Sequence, residues 1–244
     1  MSAKLYGMGV SHPSRAVRAM LAHKGIEYDL VSLPPGSQPV ALRLAGFRGR
    51  TVPALKLDGR RIQGSLAISR ALEELKPDPP LFPAERRAAV EEAEAWGERE
   101  LQPLPRRFFR WGVAHRPHLA RWLAGEAGMP AAAVVGTASM PVARYFAYLS
   151  RANDESMRSG IARIPEVLDH VDALIAEGTI GRAGEPTAAD FQIAATVATL
   201  LGFSDLRGAV EGRPCADLAL KLFPKPVAVM PPFLPEEWLV PLRG

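Results

Sequence analysis

With 244 residues, 48% hydrophobic and 23% charged, the chain has the make-up of a soluble globular protein of one large or two small domains, which excludes disorder, collagen and coiled coil. Lys and Arg number 30 against 26 Asp and Glu, and this +4 surplus is scattered rather than gathered into a basic run. The apolar stretch Phe191 to Phe203 is too short and polar-interrupted for a membrane span, Met1 to Tyr6 lacks an apolar signal core, and the single cysteine, Cys215, excludes a disulfide framework, so a cytoplasmic chain without membrane contact is expected.

Residues 3–76 change period repeatedly, as alternating strands and helices do. Lys4 to Gly7 reads as a strand and Ser11 to Ser14 as a turn. Arg15 to Lys24 reads as a helix that buries Val17, Met20 and Leu21, keeps Arg15 and Arg18 in water, and stops at Gly25. Tyr28 to Leu33 is a second strand, parallel to the first if the helix between them is a right-handed crossover. Beyond the loop Pro34 to Pro39 and a short helix over Val40 to Ala45, the runs Ala54 to Leu57 and Arg60 to Gln63 flank Asp58-Gly59, a pair suited to a tight hairpin. Ser65 opens a helix with Leu66, Ile68, Ala71, Leu72 and Leu75 on one face, and Pro77 to Pro80 ends it. This βαβ, short helix, ββα order predicts a thioredoxin-like α/β domain over residues 1–80 with a mixed four-stranded sheet.

Pro77 to Pro83 is the linker, and residues 84–244 read as an all-helical bundle with a proline-rich tail. Ala84 to Leu101 is a helix with Val90, Ala93, Trp96 and Leu101 inward, broken or kinked at Pro103 and Pro105 before Arg106 to Ala124 resumes a helical pattern. Pro141 to Ala152 is aromatic-rich. Ser156 to Glu177 reads as one long helix with a kink at Pro165, stopped by Gly178 and Gly181. From Phe223 onward six prolines, Pro224, Pro226, Pro231, Pro232, Pro235 and Pro241, predict an extended strap anchored by Phe233, Trp238 and Leu239.

Three local features carry chemistry. In Thr51-Val52-Pro53-Ala54 a proline stands just before a strand, either as an ordinary trans proline or as a cis one that turns the Val52 amide and carbonyl outward to pair with a peptide-like ligand. In Gln63-Gly64-Ser65 a strand turns sharply into a helix; Ser65 is a good N-cap, and free amides there suit a carboxylate. In Ser11-His12-Pro13-Ser14 serines stand where redox proteins of this fold carry two cysteines, so disulfide exchange is excluded. A hydroxyl there either caps the helix or donates a hydrogen bond to a ligand thiolate. Lowering a thiol from about pKa 8.5 to about 6.5 takes roughly 2.7 kcal/mol, within reach of one charged hydrogen bond plus a helix N-terminus.

Taken with Arg15-Ala16-Val17-Arg18 and Leu66-Ala67-Ile68, these features resemble the N-terminal domain of the glutathione S-transferase superfamily. Gly184-Glu185-Pro186-Thr187-Ala188-Ala189-Asp190-Phe191 resembles a helix start of that superfamily's all-helical C-terminal domain, where Thr187 and Asp190 form a capping box. The resemblance implies a glutathione transferase of cytoplasmic detoxification, or a glutathione-dependent isomerase or peroxidase, in which Ser11 activates the thiol of the co-substrate glutathione for attack on a small electrophile. It further implies that Val52 pairs with the cysteinyl backbone, Pro53 is cis and Ser65 holds the γ-glutamyl carboxylate. His12 would add a polar contact, and Arg50 or Arg48 would reach the glycyl carboxylate. Gly64 stands where the family has Glu or Gln, which either weakens the grip or passes the amide contact to Gln63. The electrophile would lie in a cleft between the domains walled by Phe108, Trp111 and Tyr145, with Trp96 and Tyr148 as further candidates. A homodimer is implied, and no metal.

Two other readings stand beside this one. Gly64 and the unmatched middle of the chain fit a non-catalytic binding or regulatory protein of the same fold. The stretch Arg106-Arg107-Phe108-Phe109-Arg110-Trp111 either stacks on single-stranded nucleic acid or forms an amphipathic helix; the helix is the expectation, with no nucleic-acid partner.

Overall fold

The computed structural model describes residues 2–224 and 228–242, and Pro226 of the tail lies outside them. The chain divides into two compact units, one of Met1–Arg99 with Ala173–Thr196, the other of Glu100–Asp172 with Val197–Gly244.

The first unit is built on strands β1 (Ala3–Gly7), β2 (Asp29–Ser32), β3 (Ala54–Leu57) and β4 (Arg60–Gln63) in the order β2-β1-β3-β4. β1 runs parallel to β2 and antiparallel to β3, and β3 pairs antiparallel with β4. Period-two burial makes Leu5 and Leu55, paired across β1 and β3, fully buried. Helix α1 (His12–His23) buries Ala16, Val17, Met20 and Leu21 and packs against α3 (Ser65–Leu75), which buries Ile68, Ala71 and Leu72. The short α2 (Gln38–Leu44) contributes Leu42 to a cluster with Leu33, Phe47 and Ala54. Arg15 is half-buried rather than in water, and burial, with Arg18 nearby, pushes its guanidinium pKa down.

The linker is fastened to this unit. Lys24, fully buried, donates from Nζ to Glu73 Oε2 at 2.5 Å and to the carbonyls of Lys76 and Pro77 at 2.6 and 3.2 Å. Glu73 also accepts from the amides of Leu81 and Phe82 at 2.9 and 3.3 Å. A single-turn helix, Ala84–Arg86, leads into α4 (Arg87–Trp96), followed by one wider π turn, Gly97–Leu101.

The remaining helices are α5 (Pro103–His115), α6 (Pro117–Glu126), α7 (Ala132–Ala138), α8 (Met140–Leu149), α9 (Asp154–Ala162), α10 (Ile164–Ala176), α11 (Ala188–Leu201), α12 (Arg207–Val210) and α13 (Pro214–Leu222). The prolines correct the expected helix limits. The helical run that starts at Ala84 ends at Leu101, so the expected interruption falls just before Pro103, which with Pro105 lies in the first turn of α5, where a missing N–H costs nothing; a further interruption falls before Pro117. The expected long helix Ser156 to Glu177 is two helices, with Pro165 in the first turn of α10.

Inside the second unit Phe108, Phe203 and Phe233 meet edge to face, and Trp111 lies against His115, Phe233 and Trp238. The tail is held by Asp205, which accepts from the amides of Phe233 and Leu234 at 2.7 and 3.0 Å, and by Arg116, which donates to the Phe233 carbonyl at 2.9 Å. Phe233 and Trp238 are buried as expected of anchors, Leu239 is half-buried, and two short 3-10 turns interrupt the strap.

Candidate functional site

The antiparallel register places the end of β1, the start of β3 and the end of β4 together, since Tyr6 pairs with Ala54 and Ala54 with Gln63. The segments that continue from those ends carry Ser11, Val52-Pro53 and Gly64-Ser65, so the sheet gathers all three sequence features at one of its ends. A hollow of about 840 Å³ bordered by Ser2, Gly25, Ile26 and Asp29 lies at the opposite end of the same strands and is separate from this site.

Ser11 is the N-cap of α1. Its Oγ accepts from the Ser14 amide at 3.4 Å and from Ser14 Oγ at 3.0 Å, so its own hydroxyl proton is free to point away from the helix. Ser14 is fully buried and Ser11 only partly. His12, expected beside a ligand, turns inward: it is 5% exposed, and its Nδ1 lies 3.1 Å from Thr196 Oγ1 of α11.

The Val52-Pro53 peptide is cis, and the Pro53 carbonyl accepts from the Gly64 amide at 3.0 Å. Among the described residues no main-chain partner meets the Val52 N–H or C=O. Gln63 clasps the preceding loop, accepting from the Gly49 amide and donating to the Thr51 carbonyl, each at 2.8 Å. Both ends of its amide are committed there, and a Cβ at Gly49 would fall 2.5 Å from Gln63 Oε1, so only glycine allows the approach. Gln63 therefore reaches the site through the loop that presents Arg48 and Arg50, both exposed.

Helix α3 starts differently from expectation. Its N-cap is Gly64, at φ 91° and ψ 147°, and Ser65 is its first residue, 2% exposed. Gly64 has no side chain to return to the first turn, and among the described residues no acceptor meets the amides of Ser65, Leu66 or Ala67. One turn further, Ser69 Oγ donates to the fully buried Glu94 of α4 at 2.8 Å, and Arg70 pairs with the same carboxylate. Burial pushes the Glu94 carboxyl up to about 7, although Arg70 and Ser69 pull it down.

Phe108 and Trp111 are interior side chains of the second unit at 0% and 3% exposure, whereas Tyr145 and Tyr148 are exposed on α8. Cys215 is buried, and burial, reinforced by the Asp172 carboxylate, pushes its thiol up to about 12, leaving the chain without a reactive sulfur of its own. Among the described residues no cluster of His, Cys, Asp and Glu is arranged to hold a metal, and no helix is long and apolar enough to cross a membrane.

Fold and site together define a protein with a thioredoxin-like N-terminal domain and an all-helical C-terminal domain. Residues 5–80 match the family described as glutathione S-transferase, N-terminal domain. Among solved structures the chain is similar to the beta-etherase LigF from Sphingobium sp. strain SYK-6, with a TM-score of 0.69, 19% identity, and 93% of this chain and 97% of that one covered. A glutathione S-transferase from Rhodospirillum rubrum gives 0.58 at 23% identity over 98% and 99% of the two chains. Maleylacetoacetate isomerase from Anaeromyxobacter dehalogenans, solved with dicarboxyethyl glutathione and citrate bound, gives 0.55 at 22% identity over 91% and 89%. Maleylacetoacetate isomerase of Rattus norvegicus is 38% identical over 106 residues, 41% of this chain, so the chain spans about half (49%) the length of that curated relative.

The sequence missed His12 as an interior residue and Glu94 altogether. Thr196 stands 184 positions beyond His12, so nothing local marks the contact. The signal was a set of polar residues, Asp190, Gln192, Thr196 and Thr199, in a helix that is buried on every side.

Proposed function

We propose that the chain is a glutathione-dependent enzyme in which Ser11 stabilises the thiolate of bound glutathione for attack on a small electrophile. The observation that carries this is the meeting, at one end of the sheet, of a serine with a free hydroxyl proton, an unpaired main-chain segment at Val52, and an uncapped helix start at Ser65. Each suits a different part of the tripeptide. The γ-glutamyl carboxylate takes the Ser65 hydroxyl and the free amides of α3, where the positive end of the helix dipole also favours it. The cysteinyl backbone pairs with Val52 as an added strand. Arg50 on the clasped loop faces the glycyl carboxylate. The sulfur then lies toward Ser11.

Ser14 donates its amide and its hydroxyl to Ser11, which polarises the outward O–H and strengthens its bond to a thiolate. The thiol proton leaves to solvent, the Ser11 hydroxyl donates to the sulfur anion, and the sulfur lone pair forms the new bond to carbon as that carbon's bond to its leaving group breaks, the leaving group departing with the electron pair. Addition to a double bond followed by expulsion of the same thiolate isomerises the substrate instead of conjugating it. That variant is favoured by the likeness to maleylacetoacetate isomerases, proteins whose name states an isomerisation.

Retention on immobilised glutathione, together with thiol conjugation of a generic electrophile or isomerisation of maleylacetoacetate, is the expected outcome. Equal activity of a Ser11→Ala variant in every such assay would give the reading to a non-catalytic protein of the same fold.

A further inference from the structure

His12, in the Ser11 turn, points inward to α11. Its ring is buried, and Nδ1 meets the hydroxyl of Thr196, itself fully buried on α11, at 3.1 Å. The Thr196 hydroxyl in turn donates to the Gln192 carbonyl at 2.9 Å. A threonine hydroxyl has one proton; with it on Gln192, the oxygen toward His12 is an acceptor, and Nδ1 carries the ring hydrogen. A buried polar contact of this kind is costly to misplace, about 1–3 kcal/mol for each group left unpaired, so it fixes position sharply.

We propose that His12 and Thr196 are positioning residues that hold the first turn of α1 to α11 and thereby aim the Ser11 hydroxyl at the glutathione sulfur. This rests on the assignment of Ser11 to the thiolate. His12 is adjacent to Ser11 and lies inside the turn closed by Ser11 and Ser14, so a shift of its ring moves the donor directly. Among the described residues no hydrogen bond joins Ser65 to His12 or Thr196, so the effect falls on thiol ionisation more than on the grip on the tripeptide.

The test uses the full-length protein with Thr196→Val, Thr196→Ser, His12→Leu, His12→Asn and His12→Gln. Three quantities are measured: the thiolate absorbance of bound glutathione against pH, KM and kcat for conjugation, and the ring-nitrogen chemical shifts of His12. Thr196→Val and His12→Leu are expected to raise the apparent pKa of the bound thiol by about one unit, a roughly tenfold loss of rate below it, with KM for glutathione changed less than about threefold. Thr196→Ser restores the hydroxyl and the wild-type profile. His12→Asn, whose amide nitrogen matches Nδ1, retains it, whereas His12→Gln, which matches Nε2, does not. An unshifted pH profile in Thr196→Val and His12→Leu, or kcat and KM worsening together with the melting temperature and without rescue by Thr196→Ser, overturns the proposal. If Thr196→Val does not fold, the Asn and Gln variants decide. A wild-type protein showing no bound thiolate at any pH instead overturns the Ser11 assignment, even where the chemical shifts place the proton on Nδ1.

Discussion

The two helix starts at the site, those of α1 and α3, face the same end of the sheet and are built in opposite ways. At α1 the N-cap Ser11 bonds the Ser14 amide, and Pro13 has no N–H to offer, so the turn is closed on itself. At α3 the N-cap is a glycine, nothing returns to the first turn, and three amides stay open. A helix N-terminus becomes a carboxylate site when the chain leaves it uncapped; capped by a serine, it becomes instead a rigid mount for a hydroxyl. Gly64 leaves the first-turn amides of α3 open, because they are main-chain groups that need no side chain at position 64.

This contrast can be tested in order of expected effect. Ser11→Ala removes a charged hydrogen bond to sulfur, about 2–3 kcal/mol, and is expected to lower kcat/KM for conjugation by roughly 30- to 150-fold. The lost cap costs only about 1 kcal/mol of stability, so thermal unfolding separates the two effects. Ser65→Ala removes one contact to a carboxylate that keeps its amides; KM for glutathione should rise about 5- to 20-fold with kcat nearly unchanged, as steady-state kinetics would show.

Glu94 tests the support of α3 rather than its tip. Its carboxyl is raised to about 7 by burial, so the folded protein holds a proton that the unfolded chain releases near pH 4.5. Stability from this group is greatest in acid and falls as pH climbs from about 4.5 to about 7, with a slope of at most about 1.4 kcal/mol per pH unit. Chemical denaturation across that window should show the fall in the wild type and a flatter curve in Glu94→Gln. Smallest is Gly64→Ala. A Cβ there meets open space, but φ 91° is strained for any side chain, so a loss of about 1 kcal/mol in unfolding free energy is expected.

The sheet and the three site segments were legible in the sequence because each rests on local signals: alternation in β1 and β3, Asp58-Gly59 at the hairpin, a proline before β3. The capping box was legible for the same reason, and Thr187 and Asp190 do exchange the expected bonds, from the Thr187 amide at 2.8 Å and the Asp190 amide at 3.4 Å. Pro165 misled because a proline in a first turn and a proline inside a helix look alike until the start of the helix is known. Ser65 was read as a cap because serine favours that position, whereas the positive φ at the turn selects Gly64 for it. Lys24, His12 and Glu94 were not legible at all. Each is a polar residue whose partner is distant in sequence, and burial of a charge depends on that partner rather than on its neighbours.

The Lys24 and Glu73 clasp has a consequence for how the chain can be divided. A cut at residue 80, where the prolines suggest a boundary, removes the Leu81 and Phe82 amides from Glu73. The same cut removes Leu81 from the Ala188 amide, which it meets at 3.0 Å. The first compact unit continues to Arg99 and recruits Ala173–Thr196, so its sequence is discontinuous. A fragment ending at the linker would thus lack the segment that closes its own surface, and it would also lack Thr196. A unit that keeps the first compact unit intact therefore has to reach beyond the linker to Arg99 and include Ala173–Thr196, and the linker is bonded in place rather than slack.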